Sequence, residues 1–463
     1  VGVVIVTWNR RSYVLRLLDT LRANPYPNWS VLVVDNASTD GSADAIRSAH
    51  PWVRCIANPV NAGGSGGFNT GLNHFLNEGG YDYLWLLDND VEIEPGALEV
   101  LVEALESHRD AAVAGSHMIQ LDYKNVTNEI GGDCRLDKGR LDLRWHASFP
   151  WMHRNEVYEV DYVAACSMLV RFDMMKRIGC MDDFFIHFDD VDWCLRFREA
   201  GYKTIACAAS RIKHLSGRSK RVTWILYYDV RNMLFLQLRH GDLGRWYFVK
   251  AFLKAAARSF RDELSGKRYY VQLCELGWRD FLCRKMGRRA DLPSLKSTPV
   301  AAVLDRILRE KNRRVFTMEP LCRPFITEDN LAAARSNGND LVAICHEAGI
   351  GARQLPDGVR LILLPSGRAR RAWALLKMAV AGPRPDYLVL DIDRLCGFLG
   401  LLSSRIILLV DDGCIELPGG WMRLFHASVR IWRWVAMVPH LLLFVLSGRG
   451  KKNADPTGTC SRT

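Results

Sequence analysis

The sequence contains no Cys-x-x-Cys pair; its 13 cysteines are scattered along 463 residues. That argues against a zinc ribbon or the dense disulfide framework of a small secreted domain, and reads as mainly reduced thiols in a cytosolic setting. Also missing are a GKS/T phosphate loop and the glycine spacing of a dinucleotide fingerprint. No recognised nucleic-acid motif accompanies the net charge of +11, so nucleic acid is not the expected partner. The charge instead favours anionic partners such as sugar nucleotides or an acidic membrane surface. The chain opens directly on a strand-like run with no basic segment before it, so no signal peptide is expected. Without an initiator Met, a few residues upstream are expected. The uncharged run after Arg433 is short for a membrane span and is interrupted by Pro439.

What is present is globular. Hydrophobic residues make up 49% and charged residues 24%, and the length calls for two or three domains. Val1-Gly-Val-Val-Ile-Val6 and Trp29-Ser-Val-Leu-Val-Val34 are short β-branched runs of the kind buried on both faces of a parallel sheet. An amphipathic segment at 13–21 lies between them, and a Ser/Thr/Asp cluster ending at Asp40-Gly41 is placed to cap a helix at 42–49. Strands alternating with helices at this spacing predict an α/β domain with a mostly parallel sheet.

The stretch that organises the domain is Tyr81-Asp-Tyr-Leu-Trp-Leu-Leu-Asp88-Asn89-Asp90. A buried strand ending in Asp-x-Asp sends both carboxylates to one side of its carboxyl end, because strand side chains repeat every two residues. Two like charges there repel unless a cation lies between them, and hard oxygen ligands suit Mg²⁺ or Mn²⁺. Just upstream, Asn61 to Gly71 carries Gly63, Gly64, Gly66 and Gly67 around Ser65, which permits close approach of backbone to a ligand ahead of a helix. Asp35 closes the second strand, where ligands collect; it could accept a hydrogen bond from a base or ribose, or serve a turn.

A second dense patch, Phe184-Phe-Ile-His-Phe-Asp189-Asp190-Val-Asp192-Trp193, starts a helix with acids in its first turn. Asp192 can pair with Arg196 at i, i+4. Asp190 has no partner visible in the sequence and could act as a general base. His214, in a turn after the apolar run from Ala206, could add a neutral imidazole ligand. The stretch 122–156 reads as an irregular, Gly-rich insertion beside the site, with His146 and His153 at its surface.

These patches together resemble the family-2 glycosyltransferases of GT-A fold, and more closely their bacterial rhamnosyltransferase and galactofuranosyltransferase-like branch. The resemblance rests on VVIVTWNR, Asp35 to Gly41, Asn61 to Gly71, Leu87 to Asp90, FFIHFDDVDWCLR, Gly201-Tyr202, His214 and Arg231-Asn232. It covers about residues 1–240. It implies a divalent cation held by Asp88, Asp90 and His214, bridging the diphosphate of the donor. Thr7 and Asp35 would line the nucleotide pocket, with Asn9, Gly63, Gly64, Gly67 and Asn69 also on the donor side. Asp190 would deprotonate the acceptor hydroxyl and Asp189 would contact a sugar. Arg171 or Arg231 would add positive potential. The implied reaction is an inverting transfer from a nucleoside-diphosphate sugar, UDP-galactofuranose or dTDP-rhamnose first, to a lipid-linked or cell-surface glycan. Trp193 departs from the smaller residue common in the branch; it either shapes the pocket or packs beneath it.

The expected boundaries are 1–222 for the transferase domain, 223–310 for a helical extension and 311–416 for a small second α/β domain. A Trp- and Arg-rich amphipathic tail then fills 417–463 and suits a membrane interface. This places the protein in the cytoplasm, at the inner face of the cell membrane, with its oligomeric state open. Two rivals stand beside a transferase: a nucleotidyltransferase, which would want a basic Gly-rich signature in place of VTWNR, and a non-catalytic glycan-binding protein.

Overall fold

The computed structural model describes the chain apart from residues 24–25, 122–124, 216–223, 265–266, 294–299, 319–327, 347–358, 365–373, 375–385, 392–404, 411–412, 418–419 and 448–463. Two compact units emerge. The first is built mainly from Val1–Gly244 with Asp280–Ala290, the second from Arg245–Arg279 with Asp291–Leu446.

The first unit opens with β1 (Gly2–Thr7), α1 (Arg11–Ala23), β2 (Ser30–Asp35), α2 (Ser42–Ala49), β3 (Arg54–Ala57), α3 (Gly63–Glu78) and β4 (Tyr83–Asp88). It continues with β5 (Val91–Ile93), α4 (Ala97–Ser107), β6 (Ala111–Gln120), β7 (Thr127–Glu129), β8 (Gly132–Arg135), β9 (Arg140–Leu143), β10 (Val157–Val160) and β11 (Ser167–Arg171). It closes with α5 (Phe172–Ile178), α6 (Asp189–Glu199), β12 (Lys203–His214) and α7 (Ile225–His240).

Among the described residues, ten strands share one sheet whose main path runs β10-β12-β6-β11-β4-β1-β2-β3. β1, β2, β3 and β4 are parallel, and β11 is antiparallel between β4 and β6. This is the mostly parallel α/β sheet expected of a GT-A type fold. β1 is apolar throughout because both its faces are covered. Val3 and Ile5 belong to the core formed with Val14, Leu17 and Leu18 of α1 and Leu101 of α4. Val4 and Val6 face α3 instead, so closely that a Cβ on Gly71 or Gly67 would come within 2.5 Å of them. Register places Thr7 opposite Asp35, and Val6 opposite Asp88, so three strand ends meet along one edge.

The described part of the insertion, 125–156, is more ordered than its composition suggests. β7 extends the main sheet beside β6, and β8 and β9 form a hairpin. His153 is buried against Trp145 and Tyr158, so it is a packing residue and not a surface one, whereas His146 is exposed as expected.

The second unit contains α8 (Arg245–Leu264), α9 (Arg268–Leu282), α10 (Val300–Arg309), β13 (Arg314–Met318), α11 (Glu328–Ser336), β14 (Asp340–His346), β15 (Arg360–Leu364), β16 (Tyr387–Asp391), β17 (Arg405–Val410) and β18 (Gly413–Leu417). It ends in α12 (Gly420–Ala436) and α13 (Val438–Leu446). Its sheet has the order β15-β14-β13-β16-β17-β18, parallel except for β18. Its five parallel strands form from apolar runs rich in β-branched or leucyl side chains.

Candidate active site

Asp88 is the last residue of β4, and the chain then turns through Asn89 and Asp90 before entering β5. The two carboxylates converge, but not through continued strand alternation. Asp90 lies in the turn, and β5 pairs antiparallel with the end of β12, setting His214 opposite Val91. Ligand atoms of Asp88, Asp90 and His214 all lie within 4.8 Å of one another. Nε2 of His214 is 3.1 Å from Asp90 and 3.7 Å from Asp88.

That Nε2 is buried without a hydrogen-bond partner, so its approach to two carboxylates lacks the angles of a paired ion. Burial disfavours the imidazolium, but the two carboxylates outweigh it and raise His214 to about 9. Asp90 is buried and Asp88 nearly half exposed. Three donors around one point, two hard oxygens and one imidazole, fit a small divalent cation with one side left open. Among the described residues this is the group of acids and histidines placed to hold a metal.

The residues expected on the donor side divide. Asp35 is buried, with Oδ2 accepting from the Ser38 N–H and Oδ1 left without a hydrogen-bond partner. Thr7 is also buried; its hydroxyl accepts from Asn89 at 2.9 Å, which fixes the turn that carries Asp90. Asn9, in the left-handed region, accepts from the Thr39 N–H at 2.7 Å and ties the ends of β1 and β2 together.

The glycine-rich segment has a different role from the one its composition suggests. Gly63 adopts φ +76, and a Cβ on it would sit 2.0 Å from the Phe185 carbonyl oxygen. Gly67 lets α3 lie against Val6, and Asn69 both donates to and accepts from the Met181 backbone. These residues bring helix and loop together; they are not a bare phosphate cradle. Gly64 is the member that faces the acids, 3.5 Å from Asp189 Oδ2 to an added Cβ.

Asp189 and Asp190 open α6 behind a loop in which Phe185, His187 and Phe188 all have positive φ. Left-handed backbone at three side-chain-bearing positions is strained and needs external support. α7 supplies it. The Asn232 amide donates to the carbonyls of Phe184, Ile186 and His187. Arg231 donates to Phe184 and Gly287, and Ser65 accepts from the Phe185 N–H. Arg231 is therefore a buried clamp and not a source of potential at the site. Arg171 is a clearer correction. It pairs with Tyr83 at the opposite end of β4 from Asp88, and its guanidinium donates to the Ala111 and Leu105 carbonyls.

Asp190 accepts from the Ala165 N–H at 3.1 Å and the Val191 N–H at 2.8 Å. Burial raises it above the ordinary carboxylate range against those two donors. Asp189 is pushed to about 7, first by burial and then by the charge of Asp190. Asp192 has a structural role, completely buried with Arg196, Arg239 and His240 around it. Trp193 packs beneath the site, with its indole N–H donating to Gly179.

Glu129 was not legible as a site residue. It ends β7, is buried, and is raised to about 7 by burial and then by Asp190, with His214 pulling the other way. Its signal in the sequence is a lone acid before Ile-Gly-Gly, which is too common to single out. Cross-strand pairing of Glu129 with Met118 is what brings it to the site's electrostatic neighbourhood.

Residues 2–178 match the family model described as Glycosyl transferase family 2, so the first unit carries a domain of that family. Galactofuranosyltransferase GlfT2 of Mycolicibacterium smegmatis is 24% identical over 287 residues, covering 56% of this chain and 44% of that protein. The chain thus spans less than half the length of that relative. The N-acetylglucosaminyl-diphospho-decaprenol L-rhamnosyltransferase of Mycobacterium tuberculosis is 25% identical over 272 residues, 53% of this chain and 85% of that protein. Among solved structures, GalNAc-T7 with UDP, GalNAc and Mn²⁺ is similar over 56% of this chain and 50% of that one, at 15% identity and a TM-score of 0.42.

Proposed function

We propose that this chain is an inverting, divalent-metal-dependent glycosyltransferase, moving a sugar from a nucleoside diphosphate to a hydroxyl of a lipid-linked or cell-surface glycan precursor. The observation that carries the reading is the convergence of Asp88, Asp90 and His214 within 4.8 Å, on the same sheet edge as the unpartnered oxygen of Asp35. UDP-galactofuranose and dTDP-rhamnose are the first donors to test, since the similar proteins are named for those two sugars. Residues 1–222 would be catalytic, 223–310 a helical extension, 311–416 an acceptor-positioning or structural domain, and 417–463 a membrane-associated tail at the inner face of the cell membrane.

In this reading Asp88, Asp90 and His214 would hold Mg²⁺ or Mn²⁺, which would supply positive charge to offset that on the departing nucleoside diphosphate. Asp35 accepts a hydrogen bond from the base or ribose through Oδ1. Asp190 removes the proton of the acceptor hydroxyl. The pair Asp189/Asp190 divides its labour by environment. Two backbone N–H groups favour the ionised form of Asp190, while Asp189, raised to about 7, carries the shared proton. A carboxylate raised by burial yet still ionised is a stronger base than one in water.

The test is nucleoside diphosphate release from UDP- and dTDP-sugars with lipid-linked acceptors, with and without Mn²⁺. Asp190→Asn should lose at least 100-fold in turnover while binding donor normally. No metal-dependent turnover with any donor, and unchanged donor binding in Asp88→Ala and Asp90→Ala, would overturn the assignment.

A further inference from the structure

Leu424–Leu446 is, by length and composition, long and apolar enough to cross a membrane. At about 1.5 Å per residue it could bridge a hydrocarbon core. Its packing within the second unit contradicts that use. Buried positions recur at Ala427, Arg430, Trp434, Met437, Leu441 and Phe444, a single stripe at helical spacing. That stripe runs along α8 from end to end. Arg245, at the start of α8, donates to the Val445 carbonyl, and Phe248 meets Phe444 at 5.4 Å. Phe252 then meets Trp434 at 4.9 Å. At the far end Arg430 is buried between Glu263, at 3.2 Å, and Glu275, at 2.7 Å. Withdrawing that guanidinium would strand two buried carboxylates, so α12 does not readily leave its place.

Much of the rest of the helix circumference is apolar and open, interrupted by Ser428, Arg433 and His440. Phe425, Trp432, Leu443 and Leu446 are each at least 66% exposed. No acidic residue occurs from Gly420 to Leu446. On α8, Trp246 and Leu253 are exposed in the same way, and around them lie exposed Lys250, Lys254, Arg258 and Arg261, the two arginines sharing Asp262 as an ion-pair partner. A water-facing surface does not ordinarily combine so much bare apolar area with a net excess of positive charge.

We propose that α12, α13 and α8 together form a face that inserts in the plane of an anionic lipid surface, and that the apolar run does not cross the bilayer. Crossing would draw α8 along, taking Lys250, Lys254, Arg258, Arg261 and Glu263 into hydrocarbon. Lying in the interface satisfies every group at once. The apolar side chains enter the acyl boundary, the tryptophans sit at headgroup level, and the cations meet lipid phosphates. The charge of the face selects a bilayer over a second copy of the chain, because two such faces would repel.

The experiment uses the full chain carrying an N-terminal and a C-terminal epitope tag, expressed in bacteria. Both tags should be digested by added protease in inside-out membrane vesicles and both protected in right-side-out ones. Tags on opposite sides would mean a span and would overturn the proposal. Purified protein should also bind vesicles containing phosphatidylglycerol at least tenfold better than pure phosphatidylcholine vesicles. The double variant Trp432→Ser, Leu443→Ser, with unchanged melting temperature, should lose at least tenfold in binding to the anionic vesicles. Equal binding by that variant, or a concentration-dependent dimer that it abolishes in the absence of vesicle binding, would equally overturn it. Donor-sugar hydrolysis by the same variant should persist, which separates this proposal from the transferase reading.

Discussion

Oδ1 of Asp90 and Nε2 of His214 lie 3.1 Å apart, yet the imidazole nitrogen makes no hydrogen bond. The two groups come from a turn after β4 and the end of β12, and they meet because β5 pairs with β12. Proximity without alignment is the geometry of two donors aimed at a shared point.

That geometry makes metal binding a proton-release reaction. In metal-free protein His214 is raised from 6.5 to about 9. Its stabilising contribution is complete below about 6.5 and is lost as pH rises through about 9. A divalent cation needs the neutral ring, so binding expels a proton and tightens as pH rises towards 9. Calorimetry with Mn²⁺ at pH 7.5, in two buffers of different ionisation enthalpy, should show about one proton released, and none for His214→Ala. Wild-type binding without proton release would remove His214 from the ligand set.

The acidic pair has the same sign at lower pH. Asp189 is raised from 3.8 to about 7 in the folded chain, so folding binds its proton and stability falls as pH climbs through that interval. Asp189→Asn removes a buried charge and should raise the melting temperature at pH 8 by about 2–4 °C, an increment of ~1 kcal/mol. At pH 4.5 the gain should nearly vanish. A gain of the same size at both values would show that ionisation is not its cause.

Asn232 touches no reacting atom, yet it holds three carbonyls of the loop before Asp189. Asn232→Ala should cost about 2 kcal/mol in chemical denaturation. Turnover should fall about 100-fold with little change in donor affinity, as expected when a base is misplaced by an ångström or so. An equal loss of donor affinity would place its effect elsewhere.

Two glycines with similar backbone angles should respond very differently to alanine. Gly96, at φ +81, has open space around it, so Gly96→Ala should cost only about 1–2 kcal/mol of left-handed strain. Gly63→Ala adds a collision with the Phe185 carbonyl and should prevent α3 and the 184–188 loop from meeting. Circular dichroism melts and donor binding of the two variants provide the comparison; similar melting temperatures would refute the packing role.

Much of this was legible in one dimension. The β-branched runs of β1 and β2 and the apolar run of β4 announce a parallel sheet because strands covered on both faces need no polar positions. Asp88, Asp90 and Asp190 stand out because acids directly after or before such elements have few structural duties. Arg171 misled because a basic residue at a strand end looks identical whichever edge of the sheet that end reaches; β11 is antiparallel, and its carboxyl end lies away from the site. Glu129 stayed hidden because its approach depends on the pairing of β7 with β6.

The sequence alone determined the alternation of elements, the acids at their ends and the apolar character of the C-terminal run, all of which depend on local pattern. The tertiary structure decided which acids meet a histidine, which glycines are for packing and which arginines are clamps, because those outcomes rest on strand order and cross-strand register. It also decided how the C-terminal run is committed. A buried Arg430 between two glutamates is a long-range ion pair that no hydropathy pattern contains, and it holds α12 beside α8.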